Sequence, residues 1–199
     1  RKVGSSDWRP ADHQMSLDKG DVIRTSGDGI ARISFANGTT YVVKPDTLIT
    51  VESNTMGQTQ QQVRPAVNIR SGAVDLSTTS SGAEVTFQDA TAQVQQNSRA
   101  AVRSDPERNQ HEFTVQAGAA EVQRGSQRVQ LSQYERVSFP SGGEITLSKV
   151  LAPPNPVSPL NQEPISAEDP ERLPVEFRWR PVEGAVGYHL RVSTSSMFT

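Results

Sequence analysis

His13, His111 and His189 are the side chains in this sequence best suited to proton transfer or metal binding near neutral pH. They lie far apart, and none sits in a ligand pattern such as His-Glu-x-x-His, where two imidazoles share one helix face. Asp28, in Ser26-Gly27-Asp28-Gly29, lacks the further carboxylates of a calcium loop and reads as a turn. No Gly-x-Ser-x-Gly elbow or phosphate loop is present. The acidic pair Glu168-Asp169 falls among prolines, where two carboxyls cannot hold the separation that glycoside chemistry requires. Trp8 and Trp179 could stack on sugar rings, but Trp179 alternates with apolar residues, as a core side chain does. Catalytic, cofactor-binding and metal-binding residues are therefore all expected to be absent, and the chain reads as a non-enzyme.

Composition narrows the class further. The 199 residues are 34% hydrophobic and 6% aromatic, low for one large compact core and suited to a modular chain. With 20 basic against 22 acidic residues there is no surplus to neutralise a phosphate backbone, which argues against nucleic acid as a partner. The absence of cysteine removes disulfides and thiolate metal sites. No apolar run is long enough to span a bilayer, so membrane attachment is expected only through a segment outside this sequence. The first residue, Arg1, is consistent with a processed or excised chain.

The elements that would position any site are strands. From Leu17 to Val51, apolar residues alternate at Ala31, Ile33 and Phe35, and again at Tyr41 and Val43. Asn37-Gly38 between them predicts a two-residue hairpin turn of type I′, and Pro45 closes the returning strand. One pattern recurs three times, in Met15–Arg24, Val67–Leu76 and Phe113–Val122: two alternating apolar residues, a spacer, then an aligned glycine at Gly20, Gly72 or Gly118. Ile33, Val85 and Leu131 continue the frame, with Phe35 and Phe87 aligned in the first two copies. These glycines are expected to mark structural corners of units too small to bury their own apolar faces. The predicted fold is all-β, an irregular β-roll or β-solenoid-like repeat domain, with an ordinary β-sandwich as the alternative.

The stretches Gly20–Thr25 (GDVIRT), Ala31–Val43 (ARISFANGTTYVV), Pro45–Val51 (PDTLITV) and Ile69–Leu76 (IRSGAVDL) resemble the extracytoplasmic domain of the FecR family of bacterial sensors and anti-sigma-type regulators. The resemblance implies a periplasmic or cell-surface setting. Siderophore-type members precede this domain with a cytoplasmic anti-sigma segment and a transmembrane helix, neither of which is visible here. It therefore carries over the domain and its setting rather than sigma-factor regulation.

From Pro153 to Pro174 seven prolines predict an extended spacer. Beyond it, Val175, Phe177 and Trp179 alternate, followed by Tyr188, Leu190 and Val192, which resembles the early strands of a fibronectin type III or immunoglobulin-like sandwich. Trp179 and Tyr188 would be its core residues, in a module that is a partial β-sandwich. The expected layout is thus residues 1–150 as the repeat domain, 151–174 as linker and 175–199 as the partial module. The leading functional reading is a noncatalytic sensory or protein-interaction module of the bacterial cell envelope, its protein partner adding a strand to an exposed edge. A structural or cell-wall-associated spacer or adhesin segment, and a domain binding peptidoglycan or another glycan, are the alternatives.

Overall fold

The computed structural model describes residues 1–53, 64–166, 173–190 and 192. Glu168-Asp169 and Ser193–Thr199 lie outside them. The chain divides into two units, Arg1–Lys149 and Val150–Val192. All regular elements among the described residues are strands. In the first unit these are β1 Val22–Arg24, β2 Ala31–Ser34, β3 Thr40–Val43, β4 Leu48–Ser53, β5 Ala66–Ser77, β6 Ala83–Phe87, β7 Ala90–Val94, β8 Arg99–Asp105, β9 Gln110–Ala117, β10 Ala120–Arg124, β11 Gln127–Leu131, β12 Glu135–Phe139 and β13 Thr146–Lys149.

These thirteen strands form one mixed sheet that curls into a half-barrel. The long strand β5 makes the curl possible. Its first half pairs with β4 and β6, its second half with β3 and β8, and Gly72 stands where the two sets of partners change over. On one side of the changeover the order is β1, β4, β5, β6, β7, β10, β11; on the other it is β2, β3, β5, β8, β9, β12, β13. After β5, successive hairpins alternate between the two halves, so each half covers the apolar face of the other. One continuous core results: Phe87 of the first half lies 6.1 Å from Phe113 and 5.6 Å from Phe139 of the second, ring to ring. All three rings are buried.

The expectation of coils stacked as in a solenoid needs correction. Among the described residues only β5 and β6 pair in parallel; the other ladders are antiparallel, many of them because short hairpin turns return the chain beside itself. The β2–β3 turn also differs from the predicted type. Phe35 N–H donates to Thr39 O (2.9 Å) and Gly38 N–H to Phe35 O (2.9 Å), closing a three-residue loop in which Gly38 (φ 83°) takes the left-handed position and Asn37 does not. Asn37 instead spends its side chain on neighbours, accepting from Thr39 N–H (3.0 Å) and donating to Ser81 Oγ (2.6 Å).

The second unit has little regular structure among its described residues. β14 (Pro156–Ser158) pairs with β15 (Arg178–Trp179), so part of the expected linker is in fact a strand. The predicted strand from Val175 shrinks to two residues, and no strand forms at Tyr188–Leu190. A two-stranded sheet leaves its apolar side chains without cover: Phe177 and Leu190 are 41% and 54% exposed. Trp179 and Tyr188 do meet, ring centroids 5.3 Å apart, and the Tyr188 hydroxyl accepts from Val182 N–H (2.7 Å).

Candidate interaction edges

A sheet that curls without closing leaves strands at its ends, and here the ends are β1, β2, β11 and β13. β1 is strapped. Val22 N–H donates to Arg1 O (2.9 Å), the Arg1 amino group returns a bond to Val22 O (2.7 Å), and Val3 packs against Gly20. Asp21 anchors the strap, accepting from Val3 N–H and Asp18 N–H (both 2.8 Å) and pairing with Lys2. Burial alone would raise the Asp21 pKa, but these donors outweigh it and hold the carboxyl below its ordinary value. β2 is not strapped, yet its core-facing residue Ile33 is buried, and so is Phe35 just beyond it.

β11 and β13 are different. On β13, Leu147 pairs across the ladder with Val137, which is fully buried, yet Leu147 itself is 49% exposed. On β11, Val129 pairs with fully buried Val122 and is only partly covered. The hairpin joining β10 to β11 closes on Arg124 and Gln127 around two residues, which turns the N–H and C=O of Arg128 and Gln130 away from β10. Both end strands thus combine unpaired backbone with an apolar residue lacking a neighbour on its outer side.

A buried polar clasp holds the adjoining hairpin tips. Arg124 Nε donates to Asp89 Oδ1 (2.8 Å) in the β6–β7 turn, while its guanidinium reaches the carbonyls of Gly143 and Pro140 in the β12–β13 turn and covers the Phe139 ring at 4.3 Å. Arg124 holds the Asp89 carboxyl below the usual range. His111, fully buried, contacts Ser104 Oγ through Nδ1 (3.0 Å) and Ser141 Oγ through Nε2 (3.1 Å). Burial pushes its pKa down, nearby Arg124 pushes the same way, and Asp89 and Asp105 oppose. Among the described residues no group of His, Asp and Glu is placed to hold a metal ion, and no helix is long and apolar enough to cross a membrane.

The family model described as FecR protein matches residues 21–121, just over half of the chain. The chain belongs to the FecR family. Two crystal structures of a candidate anti-sigma factor from Parabacteroides distasonis ATCC 8503, at 2.50 and 1.65 Å resolution, share the fold of this FecR chain with TM-scores of 0.55 and 0.54 and 15% sequence identity. Each comparison covers 65% of this chain and 59% of the other. No curated protein matches it.

Within the FecR fold, the repeat glycines all have positive φ: 90° at Gly20, 97° at Gly72 and 75° at Gly118. Gly72 and Gly118 share an environment, since a Cβ on either would overlap a hydroxyl, Thr47 Oγ1 or Ser98 Oγ. Gly20 faces Val3 instead. None of the three lies on β11 or β13, nor do Asn37 and Gly38; Trp179 and Tyr188 belong to the second unit. Arg124 escapes the sequence reading, and His111 enters it only as a histidine without ligand spacing, because both are charged or polar types at core-facing positions, in phase with Val122 and with Phe113. That phase mismatch was their only signal in the sequence.

Proposed function

We propose that this FecR-family chain is a noncatalytic sensory or protein-interaction module of the bacterial cell envelope, working outside the cytoplasm, and that its protein partner supplies an extended strand at the β11 and β13 edges. The observation carrying this reading is Leu147, half exposed on an end strand although its cross-strand partner is fully buried. A guest strand would gain main-chain hydrogen bonds from the free edge and place alternate apolar side chains over Leu147 or Val129. FecR membership supports the noncatalytic, signalling side of the proposal, and the setting follows from the same family. Under this reading the repeated corners make the half-barrel a rigid roll presenting its edges.

Photo-crosslinking tests it in cells expressing the full chain. A crosslinking residue at Ser148 or Arg128 is expected to capture one recurrent envelope protein, and Leu147→Pro to abolish capture at β13 by removing a donor that faces away from β12. Capture from Thr91, on a central strand, with none from the two edges would overturn the proposal.

A further inference from the structure

The two outer faces of the half-barrel differ in charge. Across six neighbouring strands, β2, β3, β5, β8, β9 and β12, one row of outward residues runs Arg32, Val42, Asp75, Ala101, Thr114, Arg136. Arg99 and Arg103 flank Ala101 on β8, each two residues away. Lys44 pairs with Asp75 at 2.6 Å, and Arg136 approaches Glu112 at 3.7 Å. Arg32, Arg99 and Arg103 are exposed, and no carboxylate among the described residues lies within ion-pair distance of them. The opposite outer face carries a row of acids and amides in register, Glu84, Gln93, Glu121 and Gln130.

Small side chains line the floor between these cations, with Ala73 and Ala101 on adjoining strands. Strand geometry sets Arg99 and Arg103 about 13 Å apart, with Arg32 roughly 14 Å to one side of β8. Cations spaced along strands over small side chains suit anions spaced to match. A continuous polyanion, such as a phosphate track or an anionic bilayer, would also lie over Asp75, between Arg99 and Arg103, and be repelled there. The formal net charge of −2 adds no long-range attraction for such a surface. An extended polypeptide with a carboxylate at every fourth residue repeats at about 13 Å, matching the Arg99 to Arg103 separation while leaving a neutral residue level with Asp75; Glu112, level with Arg103, is already engaged by Arg136.

We propose that this face docks an acidic, extended segment of a partner protein, with spaced carboxylates on Arg99 and Arg103. The surface is separate from the β11 and β13 edges and does not depend on strand addition there. It would contribute partner choice and association rate more than tight binding, as exposed charge pairs do.

Fluorescence anisotropy tests it with a labelled peptide carrying Glu at every fourth position among Thr and Ala, titrated with the full chain at low and physiological salt. Expected are salt-sensitive binding of this peptide and weaker binding of an isomer with its Glu residues contiguous. For the double variant Arg99→Ser/Arg103→Ser, a loss of roughly threefold to tenfold is expected from two exposed pairs. Arg70→Ser, on the other half of the sheet, is expected to bind like wild type, and thermal melts check that both variants fold. No binding of the spaced peptide, an unchanged double variant, or preference for the contiguous isomer or for phosphatidylglycerol vesicles would overturn the proposal.

Discussion

Thr47 and Ser98 hold two corners of the half-barrel with the same bonds. Thr25 N–H donates to Thr47 O (3.0 Å), Thr47 N–H to Thr25 Oγ1 (2.9 Å), and Ala73 N–H to Thr47 Oγ1 (2.9 Å). At the second corner Thr78 N–H donates to Ser98 O (2.9 Å), Ser98 N–H to Thr78 Oγ1 (2.9 Å), and Ala119 N–H to Ser98 Oγ (3.2 Å). Each hydroxyl comes directly after a residue with positive φ, Asp46 at 52° or Asn97 at 53°. It occupies the space that a side chain on Gly72 or Gly118 would need. Gly118→Ala therefore meets two penalties: a left-handed conformation, costing about 1–2 kcal/mol, and overpacking, costing roughly 1–3 kcal/mol. Gly125→Ala meets only the first, since φ there is 56° and nothing lies within 4 Å of the added Cβ. Urea denaturation of the two variants should show the Gly118 change to be the more damaging. Equal losses would mean that the corner hydroxyl yields and is not what excludes a side chain.

At the scale of elements, the β8–β9 and β12–β13 hairpins are joined through one buried imidazole. Because burial lowers the His111 pKa below its ordinary 6.5, the unfolded chain binds a proton that the folded chain refuses in the window between those two values. Stability should be level above about pH 6.5 and fall as pH drops through that window. Thermal melts from pH 8 to 5 should show a steeper decline for wild type than for His111→Gln, whatever the variant's own starting stability. Parallel profiles would remove His111 as the cause. This joint also shows where the sequence could be read and where it could not. The alternation through Ile33 and Phe35, then Tyr41 and Val43, was legible because period-two burial is local. The spacing of Gly72 and Gly118 was legible as self-similarity. Which strands end the sheet is a non-local property, so nothing near Leu147 or Val129 marked them as uncovered. The loop around Asn37 was misread because an Asn-Gly pair fits both the two-residue turn and the longer loop; Asn37 bonding to Ser81, 44 residues away, accompanies the second.

For the whole molecule, the contrast between the two units governs stability. Arg1–Lys149 holds the buried core, from Tyr41 and Ile49 through Phe87 and Phe113 to Val137. Val150–Val192 has one two-stranded ladder and leaves Tyr188 43%, Leu190 54% and Val192 76% exposed. An isolated pair of strands is marginal in water, so the second unit should add little to cooperative unfolding of the first. A chain ending at Lys149 is expected to melt cooperatively within about 3 °C of the full chain, the shift that about 1 kcal/mol causes in a domain of this size. Limited proteolysis of the full chain should first cut beyond Val150 and leave a resistant fragment that retains β1 through β13. Val150–Val192 produced alone should show no thermal transition. If the shortened chain instead loses its cooperative melt, the two units share one folding event, and Lys149 does not mark the end of the cooperative core.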